Sequence, residues 1–122
     1  HFDKHPKSMY EERRIANTFF TAKGEFDLFG ARWDGYSSWK GSYQKQCEKD
    51  LIKNYKFNLA FENMHDQLGY ITERIFDAFY AKTVPIYLGP KNIYSYIPRD
   101  CFINKAEFSS YEDLYQFMKS LD

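Results

Sequence analysis

Between positions 62 and 74 the chain places Glu62 and Asn63 as a pair, then Gly69, Tyr70, Glu73 and Arg74. Glu62 and Asn63 close an alternating run in which Phe57, Leu59 and Phe61 interleave with Asn58 and Ala60, the period of a strand with one face buried. Gly69 then permits a tight turn, and from Ile71 the period becomes helical, with Ile71, Ile75, Ala78 and Phe79 sharing one side. A helix starting there offers unpaired backbone N–H groups and the positive end of its dipole, which suit a phosphate. Arg74, one turn in, can reach back to the same anion with two parallel hydrogen bonds. An ionised Glu73 can accept from two neighbouring hydroxyls, as a ribose diol presents. On the residues alone a plainer account is favoured: an exposed first helical turn, where glutamate complements the dipole and needs no ligand. Glu62 has two readings of its own. It either satisfies nearby backbone donors at the strand end or anchors Asn63 and the loop, and no proton-transfer role is assigned to it.

The elements that must position these residues follow from the same reading. Thr83 to Leu88 is β-branched and apolar, and Gly89-Pro90 stops it, completing a β-α-β unit from Tyr55 to Pro90. Its polar residues gather beyond the carboxyl end of a strand, where open α/β sheets bind ligands. Upstream, His1 to Lys7 is an irregular lead-in. Ser8 and Glu11 have capping-box spacing for a helix from Met9 to Ala22, with Ala16, Phe19 and Phe20 as its apolar face and Gly24 as its end. Phe26 to Phe29 reads as a short strand. Ala31 to Ser42 is irregular, and Trp33, Tyr36 and Trp39 either line a ligand groove or pack the loop onto the domain, the second being favoured. Tyr43 to Asn54 should be helical, with Cys47 and Leu51 one turn apart. After Pro90, Ile93, Tyr94 and Ile97 suggest a helical turn broken by Pro98, and Cys101 to Ile103 a strand. Ser109 and Glu112 repeat the capping-box spacing before a closing helix with Leu114, Phe117, Met118 and Leu121 on one face. Strands alternating with helices imply a Rossmann-like α/β domain over residues 1–122, its sheet mostly parallel with helices on both faces.

Composition removes several classes of function. Lys plus Arg and Asp plus Glu number 17 each, so the chain lacks the broad basic footprint of a nucleic-acid binder. Aromatic residues make up 20% of the chain, which fits an aromatic core with surface tyrosines. No apolar run is long enough to cross a membrane, and no signal-peptide pattern is present. Cys47 and Cys101 lie far apart and are expected to be free buried thiols, which points to a reducing, cytoplasmic setting. A chain beginning at His1 reads as cut from a longer protein, whose upstream segment can carry a membrane or targeting signal. His65 and Asp66 have no third ligand at a known spacing, so no metal is predicted. There is no GxSxG, P-loop or CxxC.

The blocks FNLAFEN, GYITER and VPIYLGP, in that order and spacing, resemble the core of the α-1,3-fucosyltransferases that use GDP-fucose, glycosyltransferase family 10. There the equivalent run is close to YKFxLxFEN, DYxTEK and VPxxxG. Arg74 stands where the family usually has lysine, and the spacer MHDQL is not the commonest form. The resemblance implies the carboxy-terminal, donor-binding half of a GT-B glycosyltransferase. It implies that Arg74 contacts the donor diphosphate and Glu73 the ribose diol, that Tyr70 contributes its ring or hydroxyl to the nucleotide, and that Asn63 bonds near the diphosphate or sugar. Arg13 falls where the family places an arginine that helps neutralise the diphosphate. Arg14 adjoins it, and a shift of one residue exchanges the two; Lys45 is a weaker candidate. The implied reaction is inverting transfer of L-fucose from GDP-fucose to O3, in some members O4, of an N-acetylglucosamine or glucose unit. The implied base and acceptor pocket lie in an amino-terminal half outside this chain, so the fragment should bind GDP or GDP-fucose without transferring fucose. Two alternatives are the donor domain of another GT-B enzyme with a different nucleotide sugar, and a non-catalytic protein-interaction domain.

Overall fold

The computed structural model describes residues 9–24, 26–29, 39–41, 55–64 and 67–121. Its regular elements are α1 (Tyr10–Lys23), β1 (Leu28–Phe29), β2 (Trp39–Gly41), β3 (Phe57–Phe61), α2 (Glu73–Tyr80), β4 (Val84–Leu88), β5 (Ile103–Asn104) and α3 (Tyr111–Ser120). Short 3₁₀ turns at Ile93–Ser95, Arg99–Cys101 and Lys105–Glu107 join the last strands to α3. β3, β4 and β5 form a parallel sheet in that order, and β1 pairs in parallel with β2. The expected β-α-β unit is β3-α2-β4, in register from Phe57 opposite Val84 to Phe61 opposite Leu88.

The period-two alternation of these strands divides the core between the two faces of the sheet. On one face Phe61, Ile86 and Ile103 pack with Ala16 and Phe20 of α1 and Leu114 of α3. On the other, Ala60 and Tyr87 pack with Ile75 of α2, with Ile93 and Ile97, and with Phe102. The expectation of a single buried face for β3 is therefore corrected: Ala60 and Phe61, neighbours pointing opposite ways, are both buried. The cause is the crossover connection, which lays α2 on one face while α1 and α3 cover the other.

The helix ends show how local chemistry sets the boundaries. α1 begins at Met9, which offers no side-chain cap; Ser8 lies outside the described residues, and Glu11 pairs with Arg14 instead. The start of α1 is held from elsewhere, by the Met9 N–H donating to the Asn63 carbonyl at 2.8 Å. At α3 the cap is Ser110, one residue later than the spacing suggested. Its hydroxyl accepts from the Asp113 N–H at 3.1 Å, while Ser109 donates to the Asp113 carboxylate at 2.7 Å. Ser110, with extended backbone next to the first helical residue, has the geometry a cap needs. Cys101 is exposed in a 3₁₀ turn, because the strand starts only at Ile103; the expectation of a buried thiol fails there. Cys47, Trp33, Tyr36, Lys45 and the helix expected over 43–54 lie outside the described residues.

Gly89 at the exit of β4 is set by close approach. A Cβ there would stand 2.5 Å from the hydroxyl oxygen of Tyr87, whose side chain is fully buried. Gly89→Ala should therefore destabilise the fold by about 2 kcal/mol, the scale of overpacking in a closed core. Urea denaturation checks this, and an unchanged midpoint would contradict the close approach.

Candidate functional site

The candidate site is built behind the carboxyl end of β3. Glu62 follows the last residue of the strand on the face that α2 covers, and its side chain is 0% exposed. A carboxylate removed from water must find donors or lose its charge. Glu62 finds them on two elements. Its Oε2 accepts from the Thr72 N–H at 2.9 Å and from the Tyr87 hydroxyl at 2.7 Å, and its Oε1 accepts from the Thr72 hydroxyl at 2.5 Å. Its own N–H donates to the Leu88 carbonyl at 2.9 Å, continuing the ladder between β3 and β4. Thr72 is the N-cap of α2, so the buried carboxylate grips the first turn of that helix. Burial, and then the hydrogen bond to Glu62, push the Tyr87 hydroxyl well above the ordinary tyrosine range.

Two guanidinium groups converge beside this anchor. Arg13 Nη1, from α1, donates to Asn63 Oδ1 at 2.8 Å, and Arg74 Nη2, from α2, donates to the same oxygen at 3.0 Å. Arg74 Nε lies 3.8 Å from Glu62 Oε1 and is buried without a hydrogen-bond partner. Two like charges gathered on one neutral amide oxygen repel each other, and the Glu62 carboxylate beside Arg74 offsets part of that repulsion. The approach to α2 is a tight turn: Gly69 has φ 74°, and its N–H donates to the Asn92 side chain at 2.9 Å.

Of the residues singled out from the sequence, the structure brings Arg13, Asn63 and Arg74 into direct contact. Glu73 is the exposed first residue of α2, and Tyr70 is half-buried just ahead of the Thr72 cap, its N–H donating to the Gln67 carbonyl at 3.0 Å. Of the neighbouring arginines, Arg13 is the one bonded to Asn63, while Arg14 pairs with Glu11 on the exposed side of α1. Glu62 takes both roles open to it: it binds the Thr72 backbone donor and anchors the loop through the Thr72 hydroxyl. Thr72 and Tyr87 were missed. A threonine immediately before a helical run is a capping signal that was available, whereas an apolar strand does not announce a tyrosine aimed at a carboxylate. His65 and Asp66 lie outside the described residues. Among the described residues no group of three or more His, Cys, Asp or Glu is placed to hold a metal ion, and no helix is long and apolar enough to cross a membrane.

The Tyr87 hydroxyl gives this network a pH signature. A tyrosine whose folded-state pKa is raised contributes stability that is complete below its unfolded value of about 10 and is lost as pH climbs toward the folded value. Tyr87→Phe should cost about 2 kcal/mol at neutral pH, from the lost hydrogen bond to the charged Glu62. The gap between variant and wild type should close above about pH 10. Denaturant titrations at pH 7 and in alkali measure both, and a gap that widens in alkali would contradict the assignment.

Residues 7–122 match the family model for glycosyltransferase family 10 (fucosyltransferase), C-terminal region. An alpha-(1,3)-fucosyltransferase of Helicobacter pylori is 33% identical over 79 residues, covering 65% of this chain and 16% of that protein. The 4-galactosyl-N-acetylglucosaminide 3-alpha-L-fucosyltransferase 9 of Mus musculus is 43% identical over 73 residues, covering 58% of this chain and 20% of that protein. The chain thus spans about a fifth of the length of the curated relatives it matches. A crystal structure of an alpha1,3-fucosyltransferase with GDP superposes with a TM-score of 0.61 at 25% identity, over 88% of this chain and 31% of that one. A second alpha1,3-fucosyltransferase structure gives a TM-score of 0.55 at 27% identity, over 68% of this chain and 26% of that one. The α/β fold, with its parallel sheet covered by helices, is the one these GT-B fucosyltransferases share. With nearly its whole length matched, the chain belongs to glycosyltransferase family 10, the fucosyltransferase family, as its C-terminal region.

Proposed function

We propose that this chain is the donor-binding domain of an inverting fucosyltransferase and that Arg13, Asn63, Tyr70, Glu73 and Arg74 hold GDP-fucose. The observation that carries the reading is the convergence of the Arg13 and Arg74 guanidiniums on Asn63 Oδ1 at the start of α2. A diphosphate fits there because both forks and the positive end of the helix favour negative charge. Glu73, exposed at the first position of α2, is free to accept from a ribose diol. Tyr70, at the mouth of the same turn, offers its ring or hydroxyl to the nucleotide. The similarity to a fucosyltransferase crystallised with GDP supports the choice of nucleotide.

In this reading the domain contributes to the leaving group. As the bond between fucose and the β-phosphate breaks, negative charge grows on the diphosphate, and preorganised guanidiniums stabilise it more in the transition state than in the ground state. We propose that these basic groups meet that charge without a metal. The base that deprotonates the acceptor hydroxyl, and the glycan pocket, belong to a preceding half of the enzyme, so the chain alone binds donor without transferring fucose.

A thermal-shift titration tests the reading. GDP at about 100 times its dissociation constant should stabilise the chain by ~2.7 kcal/mol, and UDP at the same concentration should have little effect. Arg74→Ala and Glu73→Ala should each remove most of the GDP response, and EDTA should leave it unchanged. An equal response to UDP would point to a different nucleotide sugar. A flat response to every nucleotide, with the Helicobacter pylori enzyme responding in parallel, would overturn the reading.

A further inference from the structure

Glu62 is fully buried, so it cannot meet a ligand; what it can do is hold the group that does. The guanidinium of Arg74 is planar, and two restraints fix a plane. One is the hydrogen bond from Nη2 to Asn63 Oδ1 at 3.0 Å. The other is the Glu62 carboxylate, whose Oε1 lies 3.8 Å from Nε, a buried nitrogen with no hydrogen-bond partner. With Nη2 bonded to Asn63 and Nε turned toward the charge of Glu62, the Nη1 edge is left for an incoming oxygen. The same carboxylate grips the Thr72 N–H and hydroxyl, so the helix start and the arginine fork share one anchor and cannot drift independently.

We propose that Glu62 is a positioning residue that fixes the Arg74 fork, so that its Nη1 edge meets the terminal phosphate of a bound nucleoside diphosphate. This rests on the donor-site reading above. It makes Glu62 responsible for the preference for a diphosphate over a monophosphate, a property that general support of the fold would not single out.

Isothermal titration of the purified chain with GDP and with GMP tests it through the ratio of the two dissociation constants. In Glu62→Gln, which keeps the shape and removes the charge, the preference for GDP over GMP should fall about tenfold while GMP affinity stays near wild type. Glu62→Asp, which keeps the charge but withdraws it from Arg74 Nε, should lower the ratio by less, and it serves if the glutamine variant does not fold. An unchanged ratio in either folded variant, or equal losses for both nucleotides, would overturn the inference. A wild-type chain that prefers GDP but shows no such change refutes only the role of Glu62. A wild-type chain that binds neither nucleotide refutes the donor-site reading and the inference with it.

Discussion

One buried carboxylate sets the terms for the rest of this structure. Glu62 stands at the end of β3 with no exposure, and its charge is tolerable only because Thr72, Tyr87 and Arg74 surround it. Removing the charged partner of a buried ion costs about 3–5 kcal/mol, against under about 1 kcal/mol for an exposed ion pair. The surface pairs Lys23–Glu112 and Arg99–Glu107 are therefore minor contributors, and the Glu62 network outweighs them. The partners of Glu62 come from two places in the chain: the cap and first turn of α2, and the next strand. Meeting the needs of one side chain thus fixes β3, β4 and α2 relative to one another.

That arrangement has a consequence on the solvent side. The cap bonded to Glu62 holds the start of α2, and the first turn presents Glu73 to solvent with the half-buried Arg74 beside it. Asn63, next in sequence, accepts from Arg13 of α1 as well as from Arg74 of α2, while its carbonyl accepts from Met9. α1 is thereby tied to the same strand end as α2, although the two helices cover opposite faces of the sheet. The cluster of positive charge is a product of the fold and not of a flexible surface, which is what preorganised recognition of an anion requires.

How much of this was legible beforehand depended on the range of the signal. The β3-α2-β4 unit could be read because its periods switch from two to helical and back within one continuous stretch, punctuated by Gly69 and Gly89. Asn63 and Arg74 stood out as polar residues at element ends in that stretch, and the family likeness, not the residues alone, assigned them to a ligand. The burial of both faces of β3 could not be read from alternation, since small Ala60 looks like a surface residue until α2 is laid over it. Nor could the link from Tyr87 to Glu62, which joins residues 25 apart across the sheet. The cap of α3 moved by one residue because two serines stand side by side, and only backbone geometry separates them. Arg13 was placed through family likeness and separated from Arg14 only by the direction each takes from α1.

The central claim is that a nucleoside diphosphate sits where Arg13 and Arg74 meet. A crystal structure of the chain with GDP tests this most directly. The account predicts diphosphate oxygens within hydrogen-bond distance of both guanidiniums, at the start of α2, with the ribose diol on Glu73. A diphosphate bound elsewhere, with both arginines still closed on Asn63, would contradict it.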